Sequence, residues 1–210
     1  MAVTSGARAE SKELTRARLL EAARARLAEV GFEATNIRDI ARMAGVSAGT
    51  VIVHFGDKKQ LLHAAFFEDL AATWTRAKKR KPTNGLVRDL CAIANTFFDY
   101  YAAKPALSRE LLRESLFAEP PWKERFVGQV ADVHARVVEL TEDARLRGEL
   151  TKYEAEGVPP LDANVLGASF FSFYYFALLA WVQGGHPSPK VLFEKMLEQH
   201  LRPYVHRVAG

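Results

Sequence analysis

Ile37-Arg38-Asp39-Ile40-Ala41-Arg42-Met43-Ala44-Gly45-Val46-Ser47-Ala48-Gly49-Thr50-Val51 is the stretch that decides the fold. Ile40, Ala44, Val46 and Val51 recur at helical spacing and are expected to point inward. Ala41 is small, as a close crossing of two helices requires. Gly45 suits a tight turn, because a positive φ is cheap only for Gly or Asn. Ser47 has the side chain of an N-cap, and so does Asn36, with Asp39 three residues on as an approximate capping box. The spacing therefore predicts a helix over 37–44, a turn, and a second short helix from Ser47 to about Phe55. Such a second helix is narrow enough to enter a DNA major groove with its first residues at base edges. Those residues are Ala48, Gly49 and Thr50, followed on the outer face by Val53 and His54. They are small or modestly polar, so backbone and helix-end contacts to phosphate gain weight. A plain helical hairpin is the competing reading, but three short, well-capped helices at this spacing are rarer by chance.

Upstream, Leu19, Leu20, Ala23, Leu27 and Val30 keep helical spacing over 12–30 until Gly31, and residues 1–11 read as a flexible arm. Downstream, Asp57 caps a long helix over 58–80, with Gln60 in the box position. Further helices fit 86–103, stopped by Lys104-Pro105, and 106–117, 122–146, 161–183 and 190–208, with loops at 82–85 and 149–160. The expectation is an all-α chain of about nine helices: a head over 12–57 and a larger helical domain over 58–210. The 210 residues carry 49% apolar residues, enough for a sizeable core, and a net charge of +4. Residues 1–81 hold 15 Lys/Arg against 9 Asp/Glu, whereas the remainder holds 14 against 16. A basic small head beside a mildly acidic larger part points to a polyanionic partner for the head. Cys91 is the single cysteine, so no internal disulfide forms, consistent with a reducing cytosol. The start of the chain lacks an apolar run suited to a signal peptide. The most apolar segment, Ala168 to Val182, is about 15 residues, short of the roughly 20 a spanning helix needs. A cytoplasmic protein with no membrane partner is expected.

Residues 15–67 resemble the N-terminal domain of the TetR family of repressors. The resemblance rests on Leu19-Leu20-Glu21-Ala22-Ala23, Gly31-Phe32, Ile37-Arg38-Asp39-Ile40-Ala41, Ala44-Gly45-Val46-Ser47, Gly49-Thr50-Val51, His54-Phe55 and Asp57-Lys58-Lys59-Gln60-Leu61-Leu62. It covers about a quarter of the chain. It implies an all-helical homodimer that binds operator DNA and is released by an inducer. It also implies that Asn36 and Arg38 touch phosphates or bases, that Ala48, Gly49 and Thr50 face bases, and that His54 and Lys58 meet phosphate. Ser47, as the cap of that helix, leaves first-turn N–H groups pointing outward. The family usually has an aromatic residue, mostly Tyr, where this chain has Ile52, so one phosphate-bonding hydroxyl is missing. Other readings stand beside these: His54 packed on Phe55, Lys58 as a solvated first-turn lysine, and Thr50 bonding only its own helix. Arg8, Lys12, Arg16 and Arg18 form either a basic arm reaching the DNA or a solvated charge run.

Phe170-Phe171-Ser172-Phe173-Tyr174-Tyr175-Phe176, followed by Trp181, covers every side of one helix with aromatics, so more than one face must be buried. The resemblance places a dimer interface on the last two helices, with Phe173, Phe176, Trp181, Phe193, Met196, Leu197 and Leu201 as its candidates. An aromatic-walled pocket for an apolar or aromatic effector draws on Phe67, Trp74, Phe97, Tyr101, Phe117, Trp122, Phe126, His134, Phe170 and Tyr174. Asn95 and Ser169 are further polar candidates. The six histidines form no metal-ligand motif, Cys91 has no partner cysteine, and no phosphate-binding glycine loop is present. No catalytic residue, metal or cofactor is expected, and no paired acid and base points to an enzyme. Two other readings remain: a dimeric module whose basic head contacts a protein or an anionic surface, and a helical carrier or enzyme using the aromatic cavity.

Overall fold

The computed structural model describes residues 3–83, 85–103, 105, 108–109, 112, 119–150 and 159–205. Eight helices are found among them: α1 Val3–Ala34, α2 Ile37–Ala44, α3 Ala48–Phe55, α4 Lys58–Lys78, α5 Leu86–Ala102, α6 Trp122–Leu146, α7 Ala163–Val182 and α8 Pro189–Leu201. The chain is all-α. Among the described residues the only β pairing is an isolated antiparallel bridge between Leu150 and Val205. The helix expected over 106–117 falls mostly outside the described residues.

Three boundaries differ from expectation. α1 starts at Val3, so the expected flexible arm is helical over its described part. Ala, Arg, Glu and Lys follow Gly6 without a breaker, and their propensity extends a helix already anchored by its buried second half. Gly31 interrupts α1 with φ 77° and ψ 178°, where the sequence places its stop. α8 ends at Leu201 rather than near Val208, because Pro203 has no N–H to donate to the preceding turn. α7 starts at Ala163, where the Asp162 carboxylate accepts from the N–H groups of Asn164 (2.8 Å) and Val165 (3.2 Å). At 20 residues α7 is long and apolar enough to cross a membrane by length and composition, a reading the 15-residue estimate excluded.

The described chain divides into two compact units, one of residues 1–70 and 104–125, the other of 71–103 and 126–210. This division differs from the boundary expected after Asp57, because Leu61, Leu62, Phe66 and Phe67 of α4 are buried. The first unit's core joins Leu19, Leu20, Ala23 and Leu27 of α1 to Ile40, Ala41 and Ala44 of α2 and Val51 and Phe55 of α3, all buried. In the second unit α5, α7 and α8 pack together around Phe98. Its ring stacks on Tyr174 at 5.1 Å and meets Phe193 edge-on at 5.9 Å, while Phe170 meets Phe193 at 5.2 Å.

That packing corrects part of the expected dimer interface. Phe193, Leu197 and Leu201 have no exposed surface within a single chain. Their one-face spacing on α8 points at α5 and α7 of the same chain, so they are core. Burying each is worth about 2–3 kcal/mol relative to exposure.

Candidate nucleic-acid interface

The two short helices are fixed by their caps. Asn36 is extended (φ −133°, ψ 157°), and its side-chain oxygen accepts from the Asp39 N–H at 2.9 Å. Gly45 ends α2 in the left-handed region (φ 65°, ψ 39°), and Val46 N–H closes the turn on the Ala41 carbonyl at 2.9 Å. Ser47 Oγ accepts from the Thr50 N–H at 3.1 Å and lies 2.9 Å from the Thr50 hydroxyl.

Asp39 does more than complete a capping box. Its carboxylate takes the Asn36 amide (2.9 Å), the Arg26 guanidinium of α1 (3.0 Å) and the Arg42 guanidinium (3.0 Å). Partial desolvation pushes its pKa up, but the bonds and charges of Arg42, Arg26 and Asn36 outweigh it and hold the carboxyl below its ordinary value. A second tie comes from Arg18, whose guanidinium donates to the Ala44 carbonyl at the end of α2. Arg16 pairs with Glu68 at 2.7 Å and lies over the Phe55 ring at 4.8 Å. Arg16 and Arg18 therefore brace the head. Sequence reading missed the Arg18 and Arg26 roles, since their partners lie far away along the chain.

With Val51 and Phe55 turned inward, α3 presents its other side to solvent. Gly49 is exposed, Ala48 and Thr50 are half-buried, Ile52 is 47% exposed and Val53 is 83% exposed. Met43 of α2 adds a further exposed apolar side chain, and Asn36, Arg38 and Ser47 are exposed beside it in sequence. His54 is half-buried, with its ring 6.1 Å from that of Phe55. Lys58 is engaged within the head: Nζ donates to the carbonyls of Phe32 (3.0 Å) and Glu33 (3.4 Å) and sits 4.7 Å from the centroid of the Phe32 ring.

A short, doubly capped helix that shows solvent a small and apolar face, on a head braced by three arginines, matches a known family. The family described as bacterial regulatory proteins, tetR family, matches residues 19–65. An HTH-type transcriptional repressor of Mycobacterium tuberculosis is 27% identical over 135 residues, 64% of this chain and 71% of that protein. The solved structure of Salmonella enterica GusR aligns with TM-score 0.62 and 26% identity, covering 90% of this chain and 95% of that one. Bacillus subtilis FadR in complex with stearoyl-CoA aligns with TM-score 0.66 at 19% identity over 90% and 98% of the two chains, a likeness of fold. With its head matched to that family and repressors among its relatives, the chain is a DNA-binding transcriptional regulator.

The residues expected to line an effector pocket fall into separate groups. In the first unit, Phe67 and Trp122 stack on each other at 5.6 Å with planes 4° apart, and His63 meets both edge-on. Phe67 and Trp122 are thus mutual packing partners. In the second unit, Phe97, Tyr101, Phe170 and Tyr174 are buried, and Phe97 meets Tyr174 at 6.0 Å. Trp74 is buried, and Phe126 meets Phe171 at 6.4 Å. His134 is held structurally, 3.1 Å from the Asn164 carbonyl and packed over Gly167, where an added Cβ would come within 2.4 Å of its ring. Phe117 lies outside the described residues. Burial, and then the charges of Glu194 and Glu198, push the Cys91 thiol up to about 12, which keeps it protonated at neutral pH.

Proposed function

We propose that this regulator is a cytoplasmic repressor that binds a palindromic operator as a homodimer and leaves it when a small molecule occupies the second unit. The DNA-reading face is the outer side of α3 with the α2 N-terminus. The observation that supports this most is Val53, 83% exposed beside the exposed Ile52 on a rigidly capped helix. An apolar side chain held out by a braced element suits a thymine methyl in a major groove. Ser47, Ala48, Gly49 and Thr50 place the first N–H groups of α3 near the duplex, while Asn36, Arg38 and His54 meet phosphate or base edges. Lys58 joins them by giving up one carbonyl contact for a phosphate.

The two heads of a dimer would read half-sites about 34–36 Å apart. Phe173, Phe176, Trp181 and Met196 are partly or largely exposed on α7 and α8, and they supply the apolar surface for the pairing. An apolar face left open on α7 is the soluble alternative to a membrane partner. Release follows if the effector shifts α4, which starts with Lys58 and ends in the second unit.

A gel-shift titration with DNA flanking the gene tests the reading. Sequence-selective binding that weakens steeply with salt is expected. Binding of equal strength to scrambled DNA, or none, would sink it. Salt-insensitive DNA binding with tight capture of one protein would favour the partner-module reading instead.

A further inference from the structure

The second unit contains a cleft that none of the expected effector residues lines. It encloses about 410 Å³ between the end of α4, the following turn, the first half of α5 and the middle of α6. Its floor is aliphatic: Ala77, Ala92, Ile93 and Leu140. Around it stand four cations, Arg80, Lys81, Arg88 and Arg136, and one carboxylate, Asp89.

The charges are not balanced locally. Arg136 pairs with Glu139 at 2.6 Å. Among the described residues Arg80, Lys81 and Arg88 have no carboxylate partner. The acid that shares the cleft is already committed, because Asp89 Oδ1 accepts from both the Thr83 N–H (2.8 Å) and the Thr83 hydroxyl (2.7 Å). Asp89 is 6% exposed and its other oxygen is buried without a partner. Its bonds pin the turn that carries Arg80 and Lys81, and because the donors are neutral its own charge still offsets one of the three cations. Three cations against one carboxylate leave the aliphatic hollow with a net positive charge, and a buried-tail anion relieves that potential while removing apolar surface from water.

We propose that this cleft binds a small amphipathic anion, an aliphatic body carrying a carboxylate or phosphate, with Arg80, Lys81 and Arg88 gripping the head group. Rather than the aromatic cluster around Tyr174, this cleft is then the effector site, an assignment that rests on reading the second unit as the sensor. The effector class changes from apolar or aromatic to anionic. The signal has a short route, since Ala77 of α4 and Arg80 just beyond it line the same hollow.

Calorimetric titration of the full chain with hexanoate and with hexyl phosphate, against hexanol, hexylamine and inorganic phosphate, tests the site. Saturable binding of at least one of the two amphipathic anions is expected, at least tenfold tighter than any of the three controls. Whichever of the two binds tighter identifies the head group as carboxylate or phosphate. Arg80→Gln with Arg88→Gln should weaken it at least tenfold with the thermal midpoint kept, and Ala92→Trp, which fills the floor, should abolish it. Hexanol binding as well as the anions, inorganic phosphate binding as well as hexyl phosphate, or an unaltered affinity in the double variant each overturns the proposal. Operator release is read separately by gel shift with the same probe. Tight anion binding without release keeps the site and removes its effector role; release by hexanol alone removes the site and keeps the sensor.

Discussion

Asp39 shows at the scale of one residue what a motif leaves unsaid. The pattern Asn36-x-x-Asp39 reads as a helix start, and the cap forms as read, with the Asp39 N–H on the Asn36 side chain. The carboxylate, however, gathers Arg26 from α1, thirteen residues away, and Arg42. Sequence separation carries no signal for such a tie, because any of several arginines on α1 would serve equally well. The consequence is a pH dependence. The carboxyl sits below its ordinary value of 3.8 in the folded head. A lowered folded pKa means stability fully present above the unfolded value and lost as pH falls through the folded one. Urea midpoints measured from pH 6 down to pH 2 should therefore drop below about pH 4 in the wild type. Asp39→Asn should start lower at pH 6 and flatten that part of the curve; an unchanged acid slope would show that the carboxylate does not tie α1 to α2. Val53 makes the complementary case on the reading face. Val53→Glu should leave the unfolding midpoint unchanged, since the side chain touches solvent, yet weaken operator binding by about 1–3 kcal/mol, the usual worth of a base contact. Filter binding at fixed salt checks it.

At the scale of the element, the turn between α2 and α3 was legible because Gly45 and Ser47 each have a local reason to be there. The brace behind it was not. Arg18 reaches the Ala44 carbonyl, and a Cβ added at Gly45 would come 3.1 Å from the same guanidinium. Gly45→Ala thus meets two penalties, the left-handed backbone at about 1–2 kcal/mol and a displaced arginine. Thermal unfolding of Gly45→Ala, Arg18→Ala and the double variant separates them. The double should cost less than the two single losses together, because the second penalty disappears once Arg18 is gone. The helix α7 gives the opposite lesson. Aromatics on every side erase the periodicity by which a face is recognised, so the sequence announces burial without saying against what. Only packing sorts Phe170 and Tyr174 to α5 and α8, Gly167 to His134, and Phe176 to the outside. Gly167→Ala should cost about 1–3 kcal/mol by overpacking against the His134 ring, and His134→Ala in the same chain should recover part of it.

For the whole molecule, the resemblance of the head to the TetR family and the all-α architecture follow from fifty residues of capped, periodic sequence, whereas the second unit is written in composition alone. The expected dimer stripe illustrates the difference. A one-face stripe on α8 is the same whether it meets its own chain or a partner, and three of its residues turn out to be core. What remains most open is on α7: Phe176 at 58% exposure and Val165 at 57%, eleven residues apart and so on one side of the helix, with Phe173 partly covered between them along the axis. If this side pairs two subunits, Phe176→Glu should yield a folded monomer, with far-UV circular dichroism unchanged and half the mass by sedimentation. Phe193→Ala, by contrast, should lower stability by about 3–5 kcal/mol through a core cavity. The monomer would still bear one intact reading head, so its affinity for a single half-site should match the wild type's while its affinity for the full palindrome falls to that level. A wild-type mass that is already monomeric, or a Phe176→Glu chain that stays dimeric, would move the subunit contact off α7 and leave the spacing of the two heads without its determinant.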